Sequence, residues 1–391
     1  MWRGRPLWAE IDLDAIAHNI KEIQRRVGGN REILAVVKAN GYGHGAVQVA
    51  KEALRSGARR LGVACADEGV QLRQAGITAP VLVMGYTPEW EAVKLIANDL
   101  TPTVTTRKLA LALAAASSQK GRVTPVHIKI DTGMNRLGVS PGEAEELVSL
   151  IRSLPSLSAE GLYTHFASAD ELDKEFTYQQ FKVFLQTAER LPAIPYRHAA
   201  NSAAILDLPE MGLEIVRPGV SVYGCYPSNS VGRSVELRPA LTLKSRVARL
   251  QWLAPGETVS YGRTWMAKER CRIALVSCGY ADGLPRLLSN VGHMLVRGVR
   301  VPIVGRICMD QCIVDVTHVP GIELDDEVVI IGRQGEEEIT AGDVAQEAQT
   351  ISYEILCGIS ARVPRLYIKG GEVVACQTLV DEEEFSPSPI P

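Results

Sequence analysis

The chain has 391 residues, of which 46% are hydrophobic and 22% are charged, and its formal net charge is -3. This balance is typical of a globular protein, and the slight negative charge argues against nucleic acid or an anionic membrane as the main partner. No apolar run approaches the roughly 20 residues that cross a bilayer, and residues 1–6 lack the apolar core of a signal peptide. We therefore expect a cytoplasmic protein with one large domain and a smaller one.

The predicted elements begin with Leu7–Leu13, which alternates like a strand, and a helix that opens at Asp14. Short apolar runs then alternate with helical patterns. The eight candidate strands are Leu34–Lys38, Arg60–Ala64, Val81–Gly85, Thr101–Thr105, Val126–Asp131, Leu157–His165, Tyr196–Asn201 and Glu214–Val220. Helical periodicity lies between them in Ala46–Leu54, Glu91–Asn98, Lys108–Ser118, Pro141–Ser153 and Phe176–Leu191. This alternation predicts an α/β fold with a (β/α)8 TIM-type barrel.

The pattern changes at residue 232, after which short β-branched runs are separated by turns. These runs are Leu241–Leu250, Arg272–Val276, His293–Val296, Val301–Ile307, Gln311–Val316 and Glu327–Ile331. They predict a C-terminal, mainly antiparallel β domain. The tail 381–391 is acidic and rich in proline, so we expect it to be disordered.

The eight cysteines form no Cys-x-x-Cys pair, and Cys308 and Cys312 have no second pair of ligands near them in the sequence. This spacing indicates reduced, structural cysteines rather than disulfides. We expect no bound metal.

Lys38 ends an apolar run and precedes a turn rich in glycine. Burial of an ammonium is costly and lowers its pKa, so a lysine at the end of a buried strand is a candidate amine nucleophile that forms a Schiff base. A lysine that simply reaches the surface there is the alternative. Active sites of such barrels form at the C-terminal ends of the strands, and Asp131, His165, Asn201 and Arg217 also fall near such ends.

Nine motifs follow one another in order along nearly the whole chain. They are residues 33–45 around Lys38, Lys129–Gly138, His165–Ala167, Asn201–Ala203, Arg217–Gly219, Val259–Trp265, Gly279–Gly283, Gly305–Gln311 and Tyr353-Glu354. In this order they resemble the motifs of bacterial alanine racemases, which are fold-type III enzymes dependent on pyridoxal 5'-phosphate (PLP).

The resemblance implies that the chain interconverts L-alanine and D-alanine and supplies D-alanine for peptidoglycan. Lys38 would hold PLP and act as one base, and Tyr261 of a partner subunit would act as the other on the opposite face of the substrate. The active sites would then be shared in a homodimer. A phenol has a pKa of roughly 10, so Tyr261 would need the help of His165 and Arg217.

Arg217 would face the pyridine nitrogen of PLP, where many PLP enzymes place a carboxylate. A guanidinium stays cationic and only donates hydrogen bonds. The nitrogen would then remain unprotonated, and the carbanion would be too short-lived for transamination to compete.

The resemblance extends to the binding residues. Those implied for the cofactor are Lys38, Tyr42, His165, Asn201, Ser202, Arg217, Gly219 and Tyr353. Those implied for the substrate are Arg136, Met309, Lys129, Tyr280 and Asp310. Arg136 would hold the carboxylate with the Met309 amide, and Lys129, if carbamylated, would orient Arg136.

The family also implies that residues 1–13 form a strand that packs with the C-terminal domain. The predicted boundaries are then 14–231 for the PLP-binding barrel, 232–380 for the C-terminal β domain and 381–391 for the tail.

Three other functions remain open. A broader, serine-type racemase would share these motifs, because a pocket does not easily reject one added hydroxyl. A basic amino-acid decarboxylase is disfavoured by Arg217 and by the missing glycine-rich phosphate loop. A non-catalytic PLP-binding protein would lack the C-terminal domain that carries Tyr261 and Met309.

Overall fold

The computed structural model describes residues 4–384, and these divide into two compact units. The barrel unit comprises residues 16–41 and 46–238. The β unit comprises the described residues up to 15, the short segment 42–45, and those from 239 onward. No helix in the described range is long and apolar enough to cross a bilayer.

Parallel strands form the sheet of the barrel unit. The first strand of the chain, β1 (Leu7–Asp12), belongs to the β unit, and the eight that follow are β2 (Glu32–Val36), β3 (Arg60–Val63), β4 (Val81–Val83), β5 (Thr101–Val104), β6 (Thr124–Lys129), β7 (Leu157–Tyr163), β8 (Tyr196–His198) and β9 (Ile215–Val216). Their spatial order is β8-β7-β6-β5-β4-β3-β2-β9, with every neighbouring pair parallel. The Arg217 N–H donates to the Ala200 carbonyl at 3.0 Å, so the ring is nearly closed. The predicted TIM-type barrel is confirmed.

Helices connect the strands. They are α1 (Leu13–Val27), α2 (Ala46–Arg55), α3 (Ala66–Gln74), α4 (Ala92–Ala97), α5 (Arg107–Gln119), α6 (Ala144–Ser153), α7 (Glu175–Arg190) and α8 (Ser202–Asp207). The Thr106 hydroxyl caps α5 by accepting from the Leu109 N–H at 3.2 Å, which satisfies one of the amides that a helix start leaves open.

Each predicted barrel strand exists, but several end earlier than the apolar run in the sequence. The run Leu157–His165 gives a strand that stops at Tyr163, and Lys38 lies two residues beyond the end of β2. Several residues just past the strand ends are still buried, among them Val37, Ile130 and Ala199. Hydrophobicity therefore does not mark the point at which the backbone ladder stops.

The β unit is built on one large sheet. Its further strands are β10 (Leu241–Leu253), β11 (Thr258–Val259), β12 (Trp265–Met266), β13 (Cys271–Val276), β14 (His293–Val296), β15 (Val299–Pro302), β16 (Cys312–Asp315), β17 (Glu327–Gln334), β18 (Glu337–Ile339), β19 (Arg365–Lys369), β20 (Glu372–Gln377) and β21 (Glu382–Glu384). Two helices, α9 (Ala341–Glu347) and α10 (Ser352–Gly358), complete it. Strands β11 and β12 form a separate antiparallel two-stranded sheet. In the large sheet, β1 pairs antiparallel with β10 and parallel with β19, while the other described pairs are antiparallel. The mainly antiparallel C-terminal domain is confirmed.

Two expectations for the β unit need correction. The run Val301–Ile307 was expected to be one strand, but β15 ends at Pro302, which has no backbone N–H for a ladder, and the chain turns at Gly305 with φ of 75°. The predicted disordered tail 381–391 begins with β21, which pairs with β20. Residues 385–391 lie outside the described residues.

The backbone at Gly43 is packed closely against another part of the β unit. Its φ is 82°, and an added Cβ would lie 2.0 Å from the Leu356 carbonyl oxygen. Gly256 has a similar φ of 88° with no atom within 4 Å of that position. We expect Gly256→Ala to lower the free energy of unfolding by about 1 kcal/mol and Gly43→Ala to lower it by about 3 kcal/mol, because overpacking adds to the strain. Denaturant unfolding followed by circular dichroism measures both, and equal losses would contradict the close contact.

Candidate active site

Lys38 opens a left-handed turn just after β2. The backbone of Ala39, Asn40 and Gly41 has φ of 52°, 52° and 61°, a conformation that costs an L-residue about 1–2 kcal/mol because its Cβ crowds the following carbonyl. The Glu68 carboxylate accepts a hydrogen bond from the Ala39 N–H at 2.6 Å. A charged acceptor makes a strong bond, so helix α3 holds the strained turn that presents the lysine.

Further bonds tie this turn to its neighbours. Glu68 also accepts from the Ala64 N–H at 2.7 Å, directly after β3. The Asn40 side-chain oxygen accepts from the Ala46 N–H at 3.0 Å, where α2 begins. No motif pointed to Glu68, which reads in the sequence as an ordinary acidic residue in the first turn of a helix.

Cationic side chains gather at the carboxyl end of the barrel, where Lys38, Lys129, Arg136 and Arg217 interact electrostatically. Burial, followed by the positive charges of Arg136 and Arg217, lowers the pKa of Lys129 to about 8. Burial, followed by the charge of Arg217, holds the pKa of His165 well below its usual range. A bound carboxylate or phosphate would relieve the repulsion among these cations, so the site suits an anionic ligand.

Arg217 follows β9 and is only 3% exposed. Its Nη1 donates to His198 Nδ1 at 2.9 Å, and its Nη2 donates to the carbonyls of Thr164 at 2.7 Å and Ala199 at 3.0 Å. The same Nη2 lies 3.2 Å from His165 Nδ1. Burial lowers the pKa of the guanidinium to about 10, so it stays charged near neutrality. All four of these contacts are made by Nη1 and Nη2, and none of them involves Nε.

Ser202, at the start of α8, contacts Gly219, which lies two residues after Arg217. The Ser202 hydroxyl oxygen accepts from the Gly219 N–H at 2.8 Å and from the Ser221 hydroxyl at 3.0 Å. Asn201 caps α8 by accepting from a backbone N–H at 3.1 Å, so the cap is Asn201 and Ser202 is left for the loop after β9. Hydroxyls and a backbone amide therefore form a small buried cluster of donors.

The other predicted site residues lie in the β unit: Tyr42, Tyr261, Tyr280, Met309, Asp310 and Tyr353. Tyr261 is 71% exposed and Met309 is 52% exposed. The Tyr280 N–H donates to the Cys308 carbonyl at 3.0 Å, which keeps Tyr280 beside the Met309 segment. Asp310 accepts from Arg362 Nη2 at 2.6 Å.

Tyr261, Tyr42 and Tyr353 have defined surroundings within the β unit. Tyr261 follows Ser260, whose φ is 61° and whose hydroxyl donates to the Arg306 carbonyl at 2.6 Å. Tyr261 also lines a cavity of about 260 Å³. The rings of Tyr42 and Tyr353 lie 6.1 Å apart, tilted by 50°. The structure thus divides the predicted site residues between the two units.

Within residues 4–384, no three His, Cys, Asp or Glu side chains converge as a metal site would require. All eight cysteines fall in this range, and no two of them form a disulfide there.

Comparison with known proteins identifies the family. The model of the alanine racemase N-terminal domain matches residues 11–227, and that of the C-terminal domain matches residues 240–367. The chain belongs to the alanine racemase family, whose members depend on PLP. The resemblance expected from the motifs is confirmed.

Individual alanine racemases are similar to this chain along nearly their whole length. The alanine racemase of Halothermothrix orenii is 47% identical over 93% of this chain and 97% of its own. The solved alanine racemase of Clostridium difficile superposes with a TM-score of 0.92 at 39% identity, over 97% of this chain and all of its own. The Bacillus anthracis alanine racemase, solved with bound L-Ala-P, has a TM-score of 0.91 at 38% identity, over 97% of this chain and 99% of its own.

Lys129 generates a pH-dependent prediction. Its pKa is 10.5 ordinarily and about 8 in the folded protein. Between these values the unfolded chain binds a proton that the folded chain has lost, so the stability contributed at this position rises with pH. In carbonate-free buffer, we expect the free energy of unfolding of the wild type, minus that of Lys129→Met, to be constant below pH 8. It should rise by about 3 kcal/mol by pH 10.5.

Urea unfolding at a series of pH values measures this difference, in which the other titrating groups cancel. A difference that stays constant through the whole range would mean that Lys129 titrates as an ordinary lysine.

Proposed function

We propose that this chain is an alanine racemase that interconverts L-alanine and D-alanine with PLP as cofactor. The observation that carries the proposal is the buried Arg217 at the carboxyl end of a barrel that also presents Lys38 on a fixed turn, in a chain that belongs to the alanine racemase family. The motifs that the sequence shares with that family supply the other residues of the site.

The residues of the barrel unit fit PLP. Lys38 offers an amine in a cationic setting, and the cluster of Ser202 and Gly219 offers donors of the kind that bind a phosphate. Arg217 offers a cationic Nε–H to a pyridine nitrogen, while its Nη atoms anchor it to the barrel. PLP, when bound, supplies an electron sink that makes the α-proton of an amino acid removable.

The protein supplies two groups that move protons. We assign Lys38 Nζ to one face of the substrate and the Tyr261 hydroxyl to the other, because return of the proton on the opposite face requires an acid on that face. The Arg217 guanidinium, which lies 3.2 Å from the His165 ring nitrogen Nδ1, keeps positive charge close to the reacting groups, and this favours a deprotonated phenol. His165, whose pKa is lowered, is neutral and acts there as a hydrogen-bonding group.

The substrate carboxylate requires a cation, and Arg136 is the exposed arginine of the barrel unit that couples electrostatically to Lys129. We assign Arg136 to that carboxylate, with the Met309 amide as a second donor and Lys129 as its neighbour. Tyr280, Tyr353 and Asp310 would narrow the access to the site and so favour a small side chain. Tyr42, Tyr353 and Asn201 stay assigned to the cofactor region.

The exposure of Tyr261 and Met309 supports a homodimer with shared sites. A tyrosine base must be shielded from bulk water when it acts, yet Tyr261 is 71% exposed in the single chain. We propose that a partner subunit covers it, so that Lys38 of one protomer works with Tyr261 of the other. A cytoplasmic location and the supply of D-alanine to peptidoglycan also stay predictions.

The function is tested by proton NMR of L-alanine with the purified protein and PLP in deuterated water. We expect loss of the α-proton signal, because the proton that returns comes from the solvent, together with D-alanine in a chiral assay of the product. Exchange with serine but not with alanine would favour the broader racemase, and carbon dioxide release would favour the decarboxylase. Absence of any turnover with PLP bound would favour the binding protein.

Shared sites are tested by mixing two inactive variants, Lys38→Ala and Tyr261→Phe, after dissociation and reassociation. If each site uses both chains, half of the dimers are mixed and each has one intact site, so activity should return to about a quarter of the wild-type level. Each variant reassociated with itself is the control. If the mixture is as inactive as its components, Lys38 and Tyr261 act within one chain.

A further inference from the structure

A buried row of polar side chains leads away from Arg217 through the barrel unit. Arg217 Nη1 is 2.9 Å from His198 Nδ1, and His198 Nε2 is 2.8 Å from His127 Nδ1. His127 Nε2 lies 3.4 Å from Glu160 Oε2. Arg60 donates to the other oxygen of Glu160 at 3.2 Å. The row thus connects a site residue to an ion pair on the side of the barrel where β3 begins.

The hydrogen bonds of this row have one direction. A guanidinium only donates, so His198 Nδ1 accepts and the proton of His198 is on Nε2. That proton is donated to His127 Nδ1, which leaves the proton of His127 on Nε2, facing Glu160. The 3.4 Å contact is too poorly aligned for a hydrogen bond, but the carboxylate still attracts the N–H and cannot donate to it.

Both imidazoles must be neutral for this arrangement. His127 is 1% exposed and His198 is fully buried. Burial lowers the pKa of each, and in both cases the charges of Arg217 and Arg60 lower it further, against the raising effect of Glu160 on His127. A protonated His198 would place a donor against Arg217.

The barrel is shaped locally to admit these rings. The register of β6 against β7 shifts between Val126 and His127, which brings Gly161 opposite His127. A Cβ at Gly161 would lie 2.3 Å from His127 Nδ1. The His198 ring stacks on Tyr163 with centroids 4.6 Å apart and planes 4° from parallel. The row therefore depends on a strand irregularity and a glycine as well as on its polar atoms.

We propose that His127 and Glu160 are positioning residues, which fix the tautomer of His198 and so hold the Arg217 guanidinium in the orientation that the cofactor requires. This inference rests on the proposed function, because Arg217 acts there on PLP. If the His127 proton moved to Nδ1, His198 would have to carry its own proton on Nδ1, and a donor would face the donor of Arg217.

Glu160→Gln tests the proposal, because an amide of nearly the same shape can donate as well as accept and so permits the reverse tautomers. Glu32→Gln is the matched control, since Glu32 is the other carboxylate on Arg60, bonded to its Nε at 2.7 Å. We expect Glu160→Gln to lower kcat/KM for alanine roughly tenfold and to change the absorbance spectrum of bound PLP. Glu32→Gln should keep the wild-type spectrum and a kcat/KM within about twofold of the wild type. We expect the two variants to have similar Tm values, because each loses one carboxylate partner of Arg60.

Losses of activity that follow Tm in both variants, with unchanged spectra, would show a purely structural role and overturn the proposal. A Glu160→Gln variant that matches the wild type would overturn it as well. A further measurement needs only wild-type protein: nitrogen-15 NMR of the histidine rings, assigned with single-histidine variants. We expect the proton on Nε2 in both His198 and His127. A proton on Nδ1 of either ring would contradict the proposed direction of the hydrogen bonds, and this result does not depend on whether Glu160→Gln folds.

The two proposals fail separately. If the wild type binds PLP but does not racemise alanine, the proposed function fails, while the spectra and the ring tautomers still decide the role of the row. If the wild type racemises alanine and Glu160→Gln behaves as Glu32→Gln does, only the inference about the row fails.

Discussion

The barrel unit depends on how a buried guanidinium is satisfied. Burial of a cation is strongly unfavourable unless its donors find acceptors, and the hydrogen bonds of Arg217 within the described residues go to neutral groups. The carbonyls of Thr164 and Ala199 lie after β7 and β8, and Arg217 itself lies after β9. The last three strands must keep their spacing for this charge to be held. The guanidinium bonds therefore join the same strand ends that the backbone bond from the Arg217 N–H to the Ala200 carbonyl brings together where the ring nearly closes.

A second constraint is strain around the nucleophile. Five consecutive residues after Lys38, from Ala39 to Gly43, have positive φ. The Glu68 carboxylate holds the start of this turn through the Ala39 N–H and also accepts from the Ala64 N–H after β3. The surrounding cations add electrostatic repulsion that an anionic ligand would remove. A ligand that binds only the folded state stabilises it by mass action. The site thus combines conformational strain in the turn with electrostatic repulsion among its cations, and an anionic ligand would relieve the repulsion.

The fold could be predicted from hydrophobic pattern to a large extent. Each of the eight barrel strands overlaps a predicted run, and five of the seven intervals between them carry predicted helical periodicity, because the alternation of period and residue type is a local property. The strand ends could not be predicted, as Leu157–His165 and Val301–Ile307 show. In the first the chain stays buried after the ladder stops, and in the second a proline and a glycine turn end it. The same limit affected Lys38, which lies beyond its strand.

The sequence by itself determined the order of elements and supplied the predicted site residues, since motifs such as Arg217-Pro218-Gly219 consist of residues that are adjacent in the chain. Only the tertiary structure decided the partners of those residues. His127 and His198 are 71 positions apart, and Ala39 and Glu68 are 29 apart. A hydrogen bond depends on a distance near 3 Å and on the direction of a donor. Neither can be read from spacing along the chain, because both arise only when register and packing bring distant strands together.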